Sequence, residues 1–204
     1  MPNAKFSTLI QHIPKAIGFG AEVLSDCMAV WVETDDRTGR ATGVVFAHDG
    51  RTYRQQARLV ILANYVVQMP RLLLASATAA FPRGLANSSG MVGKGVMTHS
   101  SHDVYALFEE EVRLYKGTPV LATTEAFYET DARRGFVRGY TLHDHGIRPV
   151  AMARGLALGA KLWGPGLRQA MIDYNFYARA TMVGEVLPNP ANTVTLSDQP
   201  DEYG

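Results

Sequence analysis

The sequence predicts a mixed α/β fold of the α+β kind, and three stretches carry that expectation. Leu59-Val60-Ile61-Leu62 is a short uninterrupted apolar run, which suits a strand buried on both faces. Upstream of it, β-prone segments and an Asp49-Gly50 tight-turn pair spell a meander. Downstream, stretches that alternate in polarity flank a helix opening at Pro165.

Composition narrows the function classes. At 204 residues the chain has room for one large or two small domains. Hydrophobic residues make up 47% and charged residues 19%, an ordinary globular balance. A net charge of +1 supplies no basic field, so nucleic acid and anionic membrane surfaces are not expected partners. Cys27 is the only cysteine; it can form no internal disulfide and leaves the compartment, cytoplasmic or periplasmic, undecided. No apolar run reaches the ~20 residues that span a bilayer. The opening residues hold no apolar signal core.

Taken in order, Ser7 can cap a short helix holding Leu9, Ile10 and Ile13, with Gly18 or Gly20 closing it. Ala21-Glu22-Val23 reads as the start of a strand, with Val23 a plain buried valine. The meander follows: Ala29–Thr34, a turn at Asp35–Gly39, Thr42–Phe46, the Asp49-Gly50 turn, and Thr52–Gln56. After the run at Leu59, Ala63-Asn64 ends the strand with small or turn-prone side chains. Pro70 then fits the first turn of a helix continued by Arg71-Leu72-Leu73-Leu74-Ala75. Gly84, Asn87, Ser88, Ser89, Gly90 and Gly93 mark a long bending connection, a turn that its own side chains can hold.

Beyond Ser100 the texture changes. Val104–Phe108 reads as a strand, Glu109–Glu111 as a solvated loop and Lys116–Pro119 as a turn. Phe136, Arg138, Tyr140 and Leu142 fall on one side of a further strand. Residues 150–163 form a helix or a loose turn. The helix from Pro165 carries Leu167, Ala170, Met171 and Tyr174 along one stripe. Phe176–Leu187 alternates like a long strand, and Thr193–Leu196 like a short one.

The stretch from Leu59 to His99 also carries a resemblance. An apolar strand, a small-residue turn, PRLLL, then FPRGLANSSGMVG with a His six residues after Gly93, resembles the glucose–methanol–choline (GMC) family of flavin oxidoreductases, in its gluconate and sugar dehydrogenase branch. The resemblance implies a partial FAD-binding, Rossmann-like domain with a β-meander over residues 1–102. Part of an antiparallel-sheet substrate domain would then occupy 103–204. It implies FAD as cofactor, oxidation of CH–OH groups of an alcohol, polyol or sugar, and admits an electron-transfer subunit as partner. Val23 inherits a backbone contact to the flavin adenine, Ala63 and Asn64 the inner strand end beside the flavin, and Asn87 and Ser88 a loop over the cofactor region. Tyr65 is bulky where many members place glycine, which marks a branch character.

Two parts of that pattern are missing. A dinucleotide pyrophosphate needs G-x-G-x-x-G between a strand and a helix. The nearest match, Gly18-Phe19-Gly20, lacks the third glycine and runs in the reverse order. The family's catalytic His belongs to a segment C-terminal to these residues, so no catalytic residue is expected within the chain and the chain alone is expected to be inactive. Glu185, acidic within an apolar strand, is the one substrate-side candidate, with an edge-strand charge as its plainer reading. His99 with His102, and His143 with His145, are two-His pairs better read as hydrogen-bonding or solvated groups than as ligands, so no metal is expected. The alternative to an oxidoreductase is a non-catalytic α+β binding module, or a relic that has lost its cofactor.

Overall fold

A computed structural model describes residues 6–117, 120, 122–199 and 201. They divide into two compact units, one reaching to Gly95 and resuming at Pro190, the other Val96–Asn189. The fold is mixed α+β, with two sheets, both antiparallel, and several helices.

In the first unit, α1 (His12–Gly18) follows a turn in which the Ser7 hydroxyl accepts the Ile10 amide hydrogen at 3.4 Å. Gly20, at φ +91°, ends it. The meander forms as the β-prone segments and their turns predict: β1 (Met28–Thr34), β2 (Ala41–His48) and β3 (Arg51–Gln56), in the order β1-β2-β3. Asp49 and Gly50 take φ of +48° and +69°, the positive pair that lets a two-residue turn match strand twist. The Asp35–Gly39 turn is tied by the Asp35 carboxylate, which accepts from the Thr38 amide at 2.7 Å and the Thr38 hydroxyl at 2.8 Å. Those hydrogen bonds, the backbone one first, hold the Asp35 carboxyl below its ordinary value. Val30, Val45 and Ala47 make the core of the sheet. All six residues of β3 are exposed.

Helix α2 (Gln68–Ala75) takes Pro70 in its first turn and packs beside β1, burying Leu72. That burial contributes on the order of 2 kcal/mol. Its polar groups finish the free edge of β1. Arg71 Nη2 donates to the Ala29 carbonyl at 2.6 Å, and the Ser76 hydroxyl just past the helix accepts from the Val32 amide.

Four expectations are corrected. Leu59–Leu62 has no regular secondary structure and joins neither sheet, and Leu59 and Ile61 are 73% and 77% exposed rather than buried. The run has strand composition, but among the described residues no neighbouring strand offers it backbone partners. Ala21–Val23 likewise forms no strand, and Val23 is exposed. Thr193 contributes a single bridge to Lys94 instead of opening a strand through Leu196. Phe136 and Arg138 lie outside the strand that begins at Tyr140: Arg138 takes φ +73°, which an extended strand does not accommodate.

The second unit holds the sheet β4-β7-β6-β5, where β4 is Ser100–Leu107, β5 Thr123–Thr124, β6 Tyr140–Asp144 and β7 Tyr177–Gly184. Its register sets Asp103, Thr181, His143 and Thr123 in one row across all four strands. The Ala- and Gly-rich stretch is helical over α3 (Pro149–Leu158), and α4 (Gly164–Ile172) starts at the predicted proline. Met152 on α3 is almost fully buried, and the Tyr174 hydroxyl donates to the carbonyl of buried Ile147. Glu109–Glu111 is a solvated loop. Thr118 and Pro119 of the expected turn lie outside the described residues. Among the described residues no helix is long and apolar enough to cross a membrane.

Candidate functional site

The residues that follow β3 build a cleft of about 320 Å³ in the first unit. The Ala57 amide donates to the Thr42 carbonyl at 2.9 Å, which carries the β2–β3 pairing one residue further before the chain enters the apolar run. Val60, Leu62, Ala63 and Asn64 then line one side of the cleft, Val44 and Met28 of the meander another, and Gln68, Arg71 and Leu72 of α2 close it. The walls are mostly apolar. Asn64, Gln68 and Arg71 are the polar members, and of these the Asn64 side chain makes no hydrogen bond to any described residue, its Oδ1 being buried without a partner. Arg71 is already committed, Nε to Gln68 Oε1 at 2.5 Å and Nη2 to Ala29. The cleft therefore presents an uncommitted amide and apolar contact area, with its guanidinium in use.

A second pocket, of about 450 Å³, lies in the same unit and shares Cys27 with the first. Val23 lines it, opposite Phe46, His48 and Tyr53 of the hairpin. Phe46 and Tyr53 are cross-strand partners with ring centroids 5.6 Å apart, stacked at 20°. This is a flat aromatic wall of the kind on which planar rings rest. Ring nitrogen Nδ1 of His48 sits 3.1 Å from the Asp26 carbonyl.

Of the residues singled out from sequence, the structure thus brings Ala63 and Asn64 into one cleft and sets Val23 in the neighbouring pocket. Asn87 and Ser88 line neither. Asn87 is buried and serves its own loop: Nδ2 donates to the Arg83 carbonyl at 2.7 Å, and Oδ1 accepts from the Val92 amide at 3.1 Å. Ser88 is exposed, and its carbonyl accepts from Arg83 Nη2 at 2.8 Å. Glu185, in the second unit, is exposed one residue past the end of β7, and its amide donates to the Gly139 carbonyl at 3.2 Å. Cys27, which reads from sequence as core filling, and Phe46 and Tyr53, which read as plain strand residues, are site residues that the sequence does not single out. The last two were within reach, since an Asp49-Gly50 hairpin with two central turn residues sets Phe46 opposite Tyr53.

The second unit carries its own polar cluster. Both oxygens of Asp103 accept from Arg179 Nη2 at 2.9 Å, and Oδ1 also accepts from the Thr181 hydroxyl at 2.7 Å. Burial by itself would raise the Asp103 carboxyl. The hydrogen bond from Thr181, the hydrogen bond and charge of Arg179 and the charge of His145 outweigh it, and the group sits below its ordinary value. The two ring nitrogens of His143 meet the Thr141 and Thr123 hydroxyls at 2.8 and 3.3 Å. Among the described residues no three of His, Cys, Asp and Glu converge as metal ligands.

Comparison with known proteins bears on the whole stretch. Residues 2–101 match the family model described as GMC oxidoreductase. The chain is 32% identical over 204 residues to 2-methyl-1,2-propanediol dehydrogenase of Mycolicibacterium austroafricanum, covering 95% of this chain and 36% of that protein. It is 29% identical over 197 residues to the fructose dehydrogenase large subunit of Gluconobacter japonicus, covering 93% and 35%. The chain spans about a third of the length of these curated relatives. The two differ in the substrate their names carry, so the likeness reaches the family and no particular branch within it. The chain belongs to the GMC oxidoreductase family.

Proposed function

We propose that this chain is part of an FAD-dependent oxidoreductase that oxidises the CH–OH group of an alcohol, polyol or sugar, and that the cleft at Ala63 and Asn64 forms one side of its flavin site. The observation that carries the reading is the meeting, within the stretch that matches the family, of a small residue, an unpaired amide and apolar walls in one cleft. Those groups fit part of a dinucleotide. Ala63 leaves room for close approach, Asn64 offers a hydrogen bond to a ring or ribose edge, and Val44, Val60 and Leu62 supply contact area. Arg71 is engaged elsewhere, so the pyrophosphate takes its donors from other residues than these. Val23 faces the adenine side, where Phe46 and Tyr53 provide an aromatic wall.

When bound, FAD accepts the hydride that leaves the alcohol carbon. This chain's residues bind and orient; the hydroxyl proton goes to a histidine that the resemblance assigns to a C-terminal segment. In this reading residues 1–102 belong to the flavin-binding domain, with its Rossmann-like core, and 103–204 to the substrate domain. Asn87 and Ser88 form a loop over the cofactor, and Glu185 stands on the substrate side. The substrate is a small hydroxylated molecule, in keeping with the diol and the sugar in the relatives' names. An electron-transfer subunit is a fitting acceptor.

The test uses the intact protein. Purified material should show the visible absorption bands of bound flavin, and anaerobic addition of a diol or a ketose should bleach them. An Asn64→Leu variant should hold its flavin more weakly while folding normally. Colourless protein that takes up no added FAD would end the proposal.

A further inference from the structure

Four uncommitted polar side chains converge at one end of the meander, and no step of the flavin reading uses them. Arg40 precedes β2, and Arg58 follows the Ala57–Thr42 hydrogen bond that extends the β2–β3 pairing. Both arginines therefore leave the chain at the same end of that ladder. Together with Thr42 and Gln56 they line an open pocket of about 740 Å³. None of these four side chains makes a hydrogen bond or ion pair with any described residue. The carboxylate at the pocket, Asp35, is occupied by the Thr38 amide and hydroxyl, and its own amide donates to the Arg40 carbonyl at 2.9 Å. The turn thus holds the Arg40 backbone in place while leaving its guanidinium unpaired.

Arginine differs from other donors here. Its planar fork matches the oxygens of a phosphate, and a charge-assisted contact of that kind is about twice as strong as a neutral hydrogen bond. Two forks, one amide and one hydroxyl around one open surface pocket complement an anion with several oxygens. Thr42 and Gln56 stand on paired strands and the Arg40 carbonyl is held by the Asp35 amide, so binding there orders mainly side chains.

We propose that Arg40 and Arg58, with Thr42 and Gln56, form a binding site for a phosphate group, either free phosphate or the phosphomonoester of a small metabolite. The site stands apart from the flavin reading and does not depend on it. The experiment titrates the intact protein with inorganic phosphate, followed by phosphorus NMR or calorimetry, and repeats the titration with a sugar phosphate. Saturable phosphate binding is expected. Arg40→Ala and Arg58→Ala should each weaken it about tenfold, the size of one charge-assisted bond. Tighter binding of the sugar phosphate would identify the metabolite as the source, and equal binding would identify free phosphate. Arg37→Ala, which removes a cation from the same turn but not from the pocket lining, should leave affinity unchanged. Failure of inorganic phosphate to saturate, or an equal loss in Arg37→Ala, would overturn the site in favour of a diffuse surface field.

Discussion

The Ser76 hydroxyl stands 2.8 Å from the Val32 amide nitrogen and accepts its hydrogen, while donating its own to the Leu72 carbonyl at 2.6 Å. Ser76 is 2% exposed, so water does not replace it. Ser76→Ala leaves the Val32 amide without its acceptor and should cost about 1–3 kcal/mol. Urea unfolding of the intact protein measures this; an unchanged midpoint would show that the contact contributes nothing.

The loop of Asn87 gives a matched pair. Asn87→Ala removes an acceptor from the Val92 amide and a donor from the Arg83 carbonyl in a buried place, and should destabilise by roughly 1–3 kcal/mol. Ser88→Ala trims an exposed side chain and should stay within about 0.5 kcal/mol. Equal effects in the two variants would mean that Asn87 does not hold the loop.

Gly93 has φ +80°, its carbonyl accepts from the Val194 amide at 2.7 Å, and a Cβ on it would lie 2.2 Å from the Val194 carbonyl oxygen. Gly93→Ala therefore combines a positive-φ cost of about 1–3 kcal/mol with a clash against backbone. The expected result is faster hydrogen exchange at the Val194 amide. Retained protection there would mean that the two segments adjust together.

Asp103 links stability to pH. Its carboxyl is lowered in the folded chain from an ordinary value of 3.8. The stability it contributes is therefore present above that value and lost as pH falls through the folded one. Asp103→Asn should be less stable at neutral pH and show a shallower loss between about pH 5 and pH 2. Denaturant midpoints measured across that range decide it, and parallel curves for the two proteins would contradict the link.

The meander was legible because its information is local. β-prone residues mark its strands, and Asp49-Gly50 supplies the positive φ that a short hairpin demands. Helix α4 was legible from Pro165 for the same reason. Leu59–Leu62 was not: composition marks a strand, but a strand needs a neighbour, and nothing within four residues says whether one is present. Val23 and Phe136 failed alike, through pairing decided at a distance. At the site, Ala63 and Asn64 were found by motif, whereas Cys27 was set aside as core filling and is half-buried between two pockets. Asn87 was recognised as a loop residue, and only the coordinates show that both ends of its amide are spent on the loop itself.

The way α2 finishes β1 decides in which direction the first sheet can grow. With the Val32 amide and the Ala29 carbonyl already answered by Ser76 and Arg71, an incoming strand finds that margin's ladder interrupted. The opposite margin, β3, pairs with no further strand among the described residues, and its two arginines discourage casual pairing with another chain. Accretion onto this sheet is one-sided, and the side left available is the one guarded by charge.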